Sequence, residues 1–302
     1  MTGGDGLTDA AVPGWLGEVL PGEQGIVDLH THFLPDSVLR KVWAYFDRAQ
    51  EHYGRAWPVH YRLPQEERVA VLRDLGVVTF APLVYAHKPG MAAWLNGWVR
   101  DFALATPGAL VTATFFAEPG VEAYLRAALD DGARVVKTHV QVGGFDPRDD
   151  VLGAAWRLLA ERGVPVVVHC GDGPIPGAHT GIAVFAEVLR RYPDLTAVIA
   201  HAGLPDYAGA LALLSQFPNV YLDTTMVGTA FTERFAPLPA DWPARLAEVG
   251  DRIVLGTDFP NIPYSYAEQL GAIAGWAADP LLGNGFLRSV LRDTPLRLIG
   301  AG

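Results

Sequence analysis

Two histidines separated by one residue, His30-Thr31-His32, close a short apolar run, Ile26–Leu29. Residues i and i+2 of a strand share a face, so both imidazoles can reach one divalent ion. Imidazole suits zinc, manganese or iron, and a carboxylate completes such a site. Other apolar runs end on comparable groups. Lys137 and His139 close Val135-Val136-Lys137-Thr138-His139, His169 follows Val167-Val168, His201 follows Ile199-Ala200, and Asp258 follows Leu255-Gly256-Thr257. Taken singly, each reads as a satisfied polar group. Their conjunction points to a metal-dependent site.

These residues end short β-branched runs, each followed by a segment of helical period. The runs are Ile26–Leu29, Val77–Ala81, Ala109–Phe115, Arg134–His139, Pro165–His169, Thr196–Ala200, Val220–Asp223 and Ile253–Gly256. Helices are expected at Met91–Ala105, Val121–Asp131, Val151–Arg162, Ile182–Tyr192, Leu204–Phe217, Pro243–Val249 and Tyr266–Ala278. Runs that are apolar throughout are the type buried on both faces of a parallel sheet. Strands alternating with helices in this way predict a (β/α)8 TIM barrel, whose site lies at the C-terminal strand ends. An open doubly wound sheet, the second choice, would not bring those ends to one point.

The barrel is expected to occupy residues 25–302 as one domain, with residues 1–24 as a loose leader. Between the first two strands lies an insertion, Phe33–Arg62, rich in Trp43, Tyr45, Phe46, Tyr53, Trp57 and Tyr61. A helix around Ser37–Gln50 begins it. Two placements stand equal: over the barrel mouth, or against the barrel side.

Length and composition bound the rest. The chain has 302 residues, 50% hydrophobic and 19% charged, which suits a packed core and excludes a fibrous or disordered chain. One cysteine, Cys170, excludes a disulfide framework or a multi-cysteine zinc site. The net charge of −10 argues against nucleic acid or an anionic membrane as partner. No signal-peptide pattern is read at the start, and apolar stretches fall short of the ~20 residues of a spanning helix. The expectation is a soluble cytoplasmic protein with a small-molecule substrate; a homo-oligomer is compatible with it.

The histidine pair ending the first run, one histidine each ending the fifth and sixth, and Asp258 ending the eighth resemble the amidohydrolase superfamily. The wording Gly256-Thr257-Asp258-Phe259-Pro260 and His201-Ala202-Gly203 is most similar to its amidohydrolase-related branch, which includes aminocarboxymuconate semialdehyde decarboxylase-like metal-dependent hydrolases. The resemblance spans roughly Ile26 to Ile299. It implies that His30, His32, His169 and Asp258 ligate one divalent ion, zinc before manganese or iron. His201 is implied beside the ion as an electrostatic or acid/base partner. Superfamily members with two metals carboxylate the lysine of strand four, so Lys137 admits a two-ion site; one ion, with Lys137 as a substrate-binding ammonium, is the expectation.

The implied reaction is hydrolysis of a small amide, lactone or ester-like bond by metal-activated water. Asp258 carries the proton, while His201 and Lys137 steady the oxyanion. The alternative is a metal-dependent non-oxidative decarboxylase of a small carboxylic acid, since the branch holds both. That reading needs a cation for the substrate carboxylate, from Lys137, Lys88, Arg62 or Arg148. A scaffold that has lost activity would lack a ligand, and none is missing.

Other residues keep two readings. Asp28 is read as pointing away from the histidine pair, ordering a ligand or capping the strand. His139 either reaches the pocket or is a core histidine. His87, Lys88 and Glu118 are substrate contacts or solvated loop charges, His179 is a rim residue, and Cys170 is buried and inert.

Overall fold

A computed structural model describes residues 6–23 and 25–301. Eight strands follow in chain order: β1 Ile26–Thr31, β2 Val77–Pro82, β3 Thr112–Thr114, β4 Val135–His139, β5 Val166–His169, β6 Ala197–Ile199, β7 Val220–Asp223 and β8 Ile253–Val254. The helices are α1 Val12–Val19, α2 Asp36–Phe46, α3 Ala49–Tyr53, α4 Gln65–Asp74, α5 Ala92–Ala105, α6 Val121–Asp130, α7 Val140–Gly143, α8 Gly153–Arg162, α9 Ile182–Arg191, α10 Tyr207–Gln216, α11 Ala230–Glu233, α12 Trp242–Val249, α13 Tyr266–Ala277, α14 Gly283–Arg288 and α15 Thr294–Leu298.

All pairings are parallel and follow chain order, β1 with β2 and then β3 through β8. Backbone hydrogen bonds span the two seams. Phe80 N–H donates to Gly108 O and Leu110 N–H to Phe80 O, each at 2.9 Å. At the other seam Leu29 N–H donates to Leu255 O at 3.0 Å and Asp258 N–H to His30 O at 2.8 Å. The expected (β/α)8 architecture is therefore the one observed.

Strand alternation divides the buried side chains. Val27, Leu29, Val135, Val167, Val198 and Val254 form an inner cluster, while neighbours such as Val136, Val166, Val168 and Ile199 join the larger cluster under the helices. Lys137 stands two residues beyond Val135, and His169 two beyond Val167, so both continue the inner face. Cys170 joins the outer cluster, at 1% exposure.

Three expectations change. Residues 12–20 are not a loose leader: Val12, Leu16 and Leu20, spaced four apart on one helical face, are buried. Asp9 ties the segment down, accepting from the Tyr61 hydroxyl and, at 2.9 Å, from Ala267 N–H. Residues 1–5 and 24 of that stretch lie outside the described residues. The Ser37–Gln50 helix divides into α2 and α3, and a further helix, α4, precedes β2. The insertion covers the mouth through Tyr45, Phe46, Tyr53 and Trp57, which line the central cavity, whereas Trp43 and Tyr61 do not. No helix among the described residues is long and apolar enough to cross a membrane.

Candidate metal centre

His30, His32 and Asp258 converge. One ligand atom from each lies within 4.8 Å of the others, although they come from opposite ends of the barrel sequence. His32 Nε2 is 2.9 Å from Asp258 Oδ1, and His30 Nε2 is 3.4 Å from the same oxygen. The opposite edge of each ring is tied off. His30 Nδ1 donates to Asp223 Oδ2 at 2.8 Å, and His32 Nδ1 to Leu83 O at 2.9 Å. A histidine whose Nδ1–H is held by an acceptor presents Nε2 as the ligating atom, the usual outer support of a bound metal. Burial, then the charge of Lys137, lowers the His30 pKa to about 4, so its ring stays neutral at neutral pH. The donor chemistry fits a first-row divalent ion.

Local backbone irregularity delivers these groups. By regular alternation Asp28, His30 and His32 would share a face. The β1 register shifts between Asp28 and Thr31, and Asp28 turns away as expected. It accepts from His30 N–H at 3.0 Å, Thr257 Oγ1 at 2.6 Å and Tyr266 OH at 3.0 Å. Its burial raises its pKa to about 7. His201 (φ 56°) and Asp258 (φ 66°) lie in the left-handed region, at roughly 1–3 kcal/mol each for residues with a side chain. Gly256 is required beside them, because a Cβ there would lie 2.5 Å from Thr225 Oγ1 and 2.8 Å from His30 Cβ.

The other expected residues surround this trio. Lys137 Nζ, fully buried, lies 3.1 Å from His30 Nε2; burial lowers its pKa to about 8. The His201 ring centroid is 5.5 Å from that of His30, and its buried Nδ1 has no hydrogen-bond partner among the described residues. His169 is placed differently. Its Nε2 donates to Gly173 O at 2.9 Å, its ring stacks on His139 at 3.9 Å, and it lies outside the His30, His32 and Asp258 group. His139 thus reaches the pocket. Asp258 stays ionised: burial opposes this, but the His32 hydrogen bond and neighbouring imidazoles hold its pKa well below the usual range.

Sequence reasoning overlooked Asp223, the last residue of β7. Its Oδ1 accepts from His201 N–H at 2.7 Å and Thr225 N–H at 3.1 Å, while Oδ2 holds His30. Burial opposes its charge, yet His30 and its other partners lower its pKa to about 2. A carboxylate ending a strand, two residues after Tyr221, was the available signal.

The trio opens into a cavity of about 900 Å³ in which Asp258 is the only carboxylate among the described residues. Lys41, His87, Lys88 and Lys137 also line it, under an apolar wall that includes Phe46, Trp57 and Trp94. Three charged candidates fall elsewhere. Arg62 pairs with Asp47, Arg148 pairs with Asp146 and Glu187, and Glu118 accepts from Gly90 N–H at 2.6 Å. His179 sits 3.6 Å from Asp146. None of these four lines the cavity.

Fold and site together define a (β/α)8 barrel with a donor set for a divalent ion at the C-terminal mouth. The chain belongs to the amidohydrolase family, whose model matches residues 27–301; it is thus an enzyme of the amidohydrolase superfamily, a group of hydrolases and decarboxylases. No curated protein matches significantly. Among solved structures, an uncharacterised TIM-barrel protein of Bordetella bronchiseptica is 20% identical, with TM-score 0.69 over 92% of this chain and 99% of that one. A 5-carboxyvanillate decarboxylase of Novosphingobium aromaticivorans, complexed with manganese and 4-hydroxy-3-methoxy-5-nitrobenzoic acid, is 15% identical, with TM-score 0.61 over 93% and 97%. A probable 2-pyrone-4,6-dicarboxylic acid hydrolase of Acinetobacter baumannii is 12% identical, with TM-score 0.59 over 91% and 99%. At these identities the likeness is one of fold.

Proposed function

We propose that this enzyme is a metal-dependent hydrolase that opens an amide, lactone or ester-like bond of a small anionic substrate. One observation carries the reading: His30 Nε2, His32 Nε2 and Asp258 Oδ1 face one another, with both Nδ1 atoms engaged behind them. His169 is the proposed fourth ligand, reached when its ring turns from Gly173 O. A bound divalent ion supplies Lewis acidity and lowers the pKa of water from 15.7 to about 7. Asp258, ionised and 16% exposed to the cavity, takes the proton from the attacking water and returns it to the leaving group. His201, with its unpartnered Nδ1, and the Lys137 ammonium steady the developing oxyanion.

Non-oxidative decarboxylation is the second reading, favoured by a buried cation beside a cavity poor in carboxylates. There Lys137 holds the substrate carboxylate, and Asp258 or His201 protonates the carbon that loses carbon dioxide. The neighbours named above as a decarboxylase and a hydrolase make both readings concrete without choosing between them. The zinc-loaded and manganese-loaded enzyme should be offered lactones, amides and esters that carry a carboxylate, alongside aromatic carboxylic acids. Acid release without carbon dioxide supports hydrolysis. Carbon dioxide release from the acids, with no hydrolytic turnover, overturns it in favour of the second reading.

A further inference from the structure

A second cleft, of about 610 Å³, lies between the end of α3 and the segment after α11. It is lined by Arg55, Arg234, Phe231, Phe235, Pro58 and Pro263 among others, and by no carboxylate among the described residues. The Arg55 guanidinium carbon stands 3.6 Å over the Phe235 ring, and that of Arg234 stands 5.2 Å from Phe231. The two rings meet edge to face at 5.8 Å. Aromatic faces thus hold both guanidiniums at one cleft, where planar stacking fixes an arginine fork.

Neither arginine has an anionic partner among the described residues, although the chain carries 33 acidic against 23 basic residues. Glu233, beside Arg234 in the chain, turns its carboxylate to Leu238 N–H instead. Arg55 Nη1 is buried without a hydrogen-bond partner among the described residues, and an orphaned buried donor is unfavourable. Two like charges with an unused donor call for an anion.

We propose that Arg55 and Arg234 form a binding site for a small organic phosphate, separate from the metal centre. Two guanidiniums match a phosphate monoester, which carries close to two negative charges at neutral pH, and each can grip it through paired N–H donors. The cleft exceeds what inorganic phosphate fills, and Pro58, Pro263 and Phe231 offer an apolar wall to the organic body. Phe235 lines both this cleft and the central cavity, so a ligand held here lies one ring away from the catalytic pocket. The site does not depend on the hydrolase reading.

Phenyl phosphate is the probe, with phenol as its neutral counterpart and benzoate as its singly charged one, followed by calorimetry on the full chain. The parent should bind phenyl phosphate more tightly than benzoate, and phenol should bind weakest. Arg234→Ala should weaken phenyl phosphate about tenfold or more, the size expected for losing charge-assisted hydrogen bonds. Arg55→Lys, which keeps the charge but loses the fork, should also weaken it, and circular dichroism would show that both variants fold. His30→Ala should leave it unchanged. Absence of phenyl phosphate binding in the parent at millimolar concentration would overturn the proposal. So would binding insensitive to Arg234→Ala, or binding lost in His30→Ala, which would place the anion at the metal centre. Benzoate binding as tightly as phenyl phosphate would overturn the assignment to phosphate.

Discussion

Asp223→Asn should disable the metal centre without touching a ligand. Asp223 Oδ1 accepts two backbone N–H groups, from His201 at 2.7 Å and Thr225 at 3.1 Å, and Oδ2 accepts the His30 Nδ1 proton at 2.8 Å. An asparagine has one acceptor oxygen. If that oxygen keeps the two backbone donors, its NH2 group faces His30 Nδ1. With only Thr225 Oγ1, 3.1 Å from Nδ1, left as an alternative acceptor, the imidazole is driven to carry its proton on Nε2, the atom turned towards Asp258, and a protonated Nε2 cannot ligate. Loss of such an outer partner weakens metal affinity about 10- to 100-fold. At ~1.4 kcal/mol per tenfold, this is roughly 1.4–2.8 kcal/mol. Chelator competition measures the affinity, and nitrogen-15 spectra of the imidazoles report the His30 tautomer. Unchanged affinity with Nδ1 still protonated in the variant would show that Asp223 does not set the His30 tautomer.

Lys137→Ala should leave metal content at one ion per chain while raising KM or lowering kcat, read by elemental analysis beside steady-state kinetics. Loss of a second ion would instead make Lys137 a bridge and His201 a ligand. Cys170→Ser should retain activity within a few-fold, and the native thiol should resist thiol reagents until unfolding, because burial raises its pKa to about 12 and leaves it 1% exposed. Leu16→Ala, at a 6% exposed position of α1, should destabilise the chain by about 2–5 kcal/mol in denaturant melts; an unchanged midpoint would return residues 12–20 to the status of a loose leader.

What was legible in the chain follows from physics of different range. Val166-Val167-Val168 is a strand because continuous β-branched residues suit a sheet buried on both faces, and its end at His169 is visible in one dimension. The convergence of His30, His32 and Asp258 follows from barrel topology, so it too could be anticipated. Asp223 escaped because its role depends on His30, 193 positions away, while locally it is one more polar residue before Thr224 and Thr225. α4 escaped because its Glu66, Glu67 and Arg68 obscure the apolar stripe; Arg68 is nonetheless fully buried, 5.0 Å from the Phe33 ring. The left-handed backbone at His201 and Asp258 has no mark in side-chain type, because it is imposed by the strand ends around it.

His30, His32 and Asp258 are proposed to hold a divalent ion on which turnover depends. The direct measurement is elemental analysis of the purified chain and of His30→Ala and Asp258→Ala, each paired with activity and a folding check. About one first-row divalent ion is expected in the parent, with metal and turnover both lost in folded variants. A folded, active parent without metal, or variants that keep both, would contradict it.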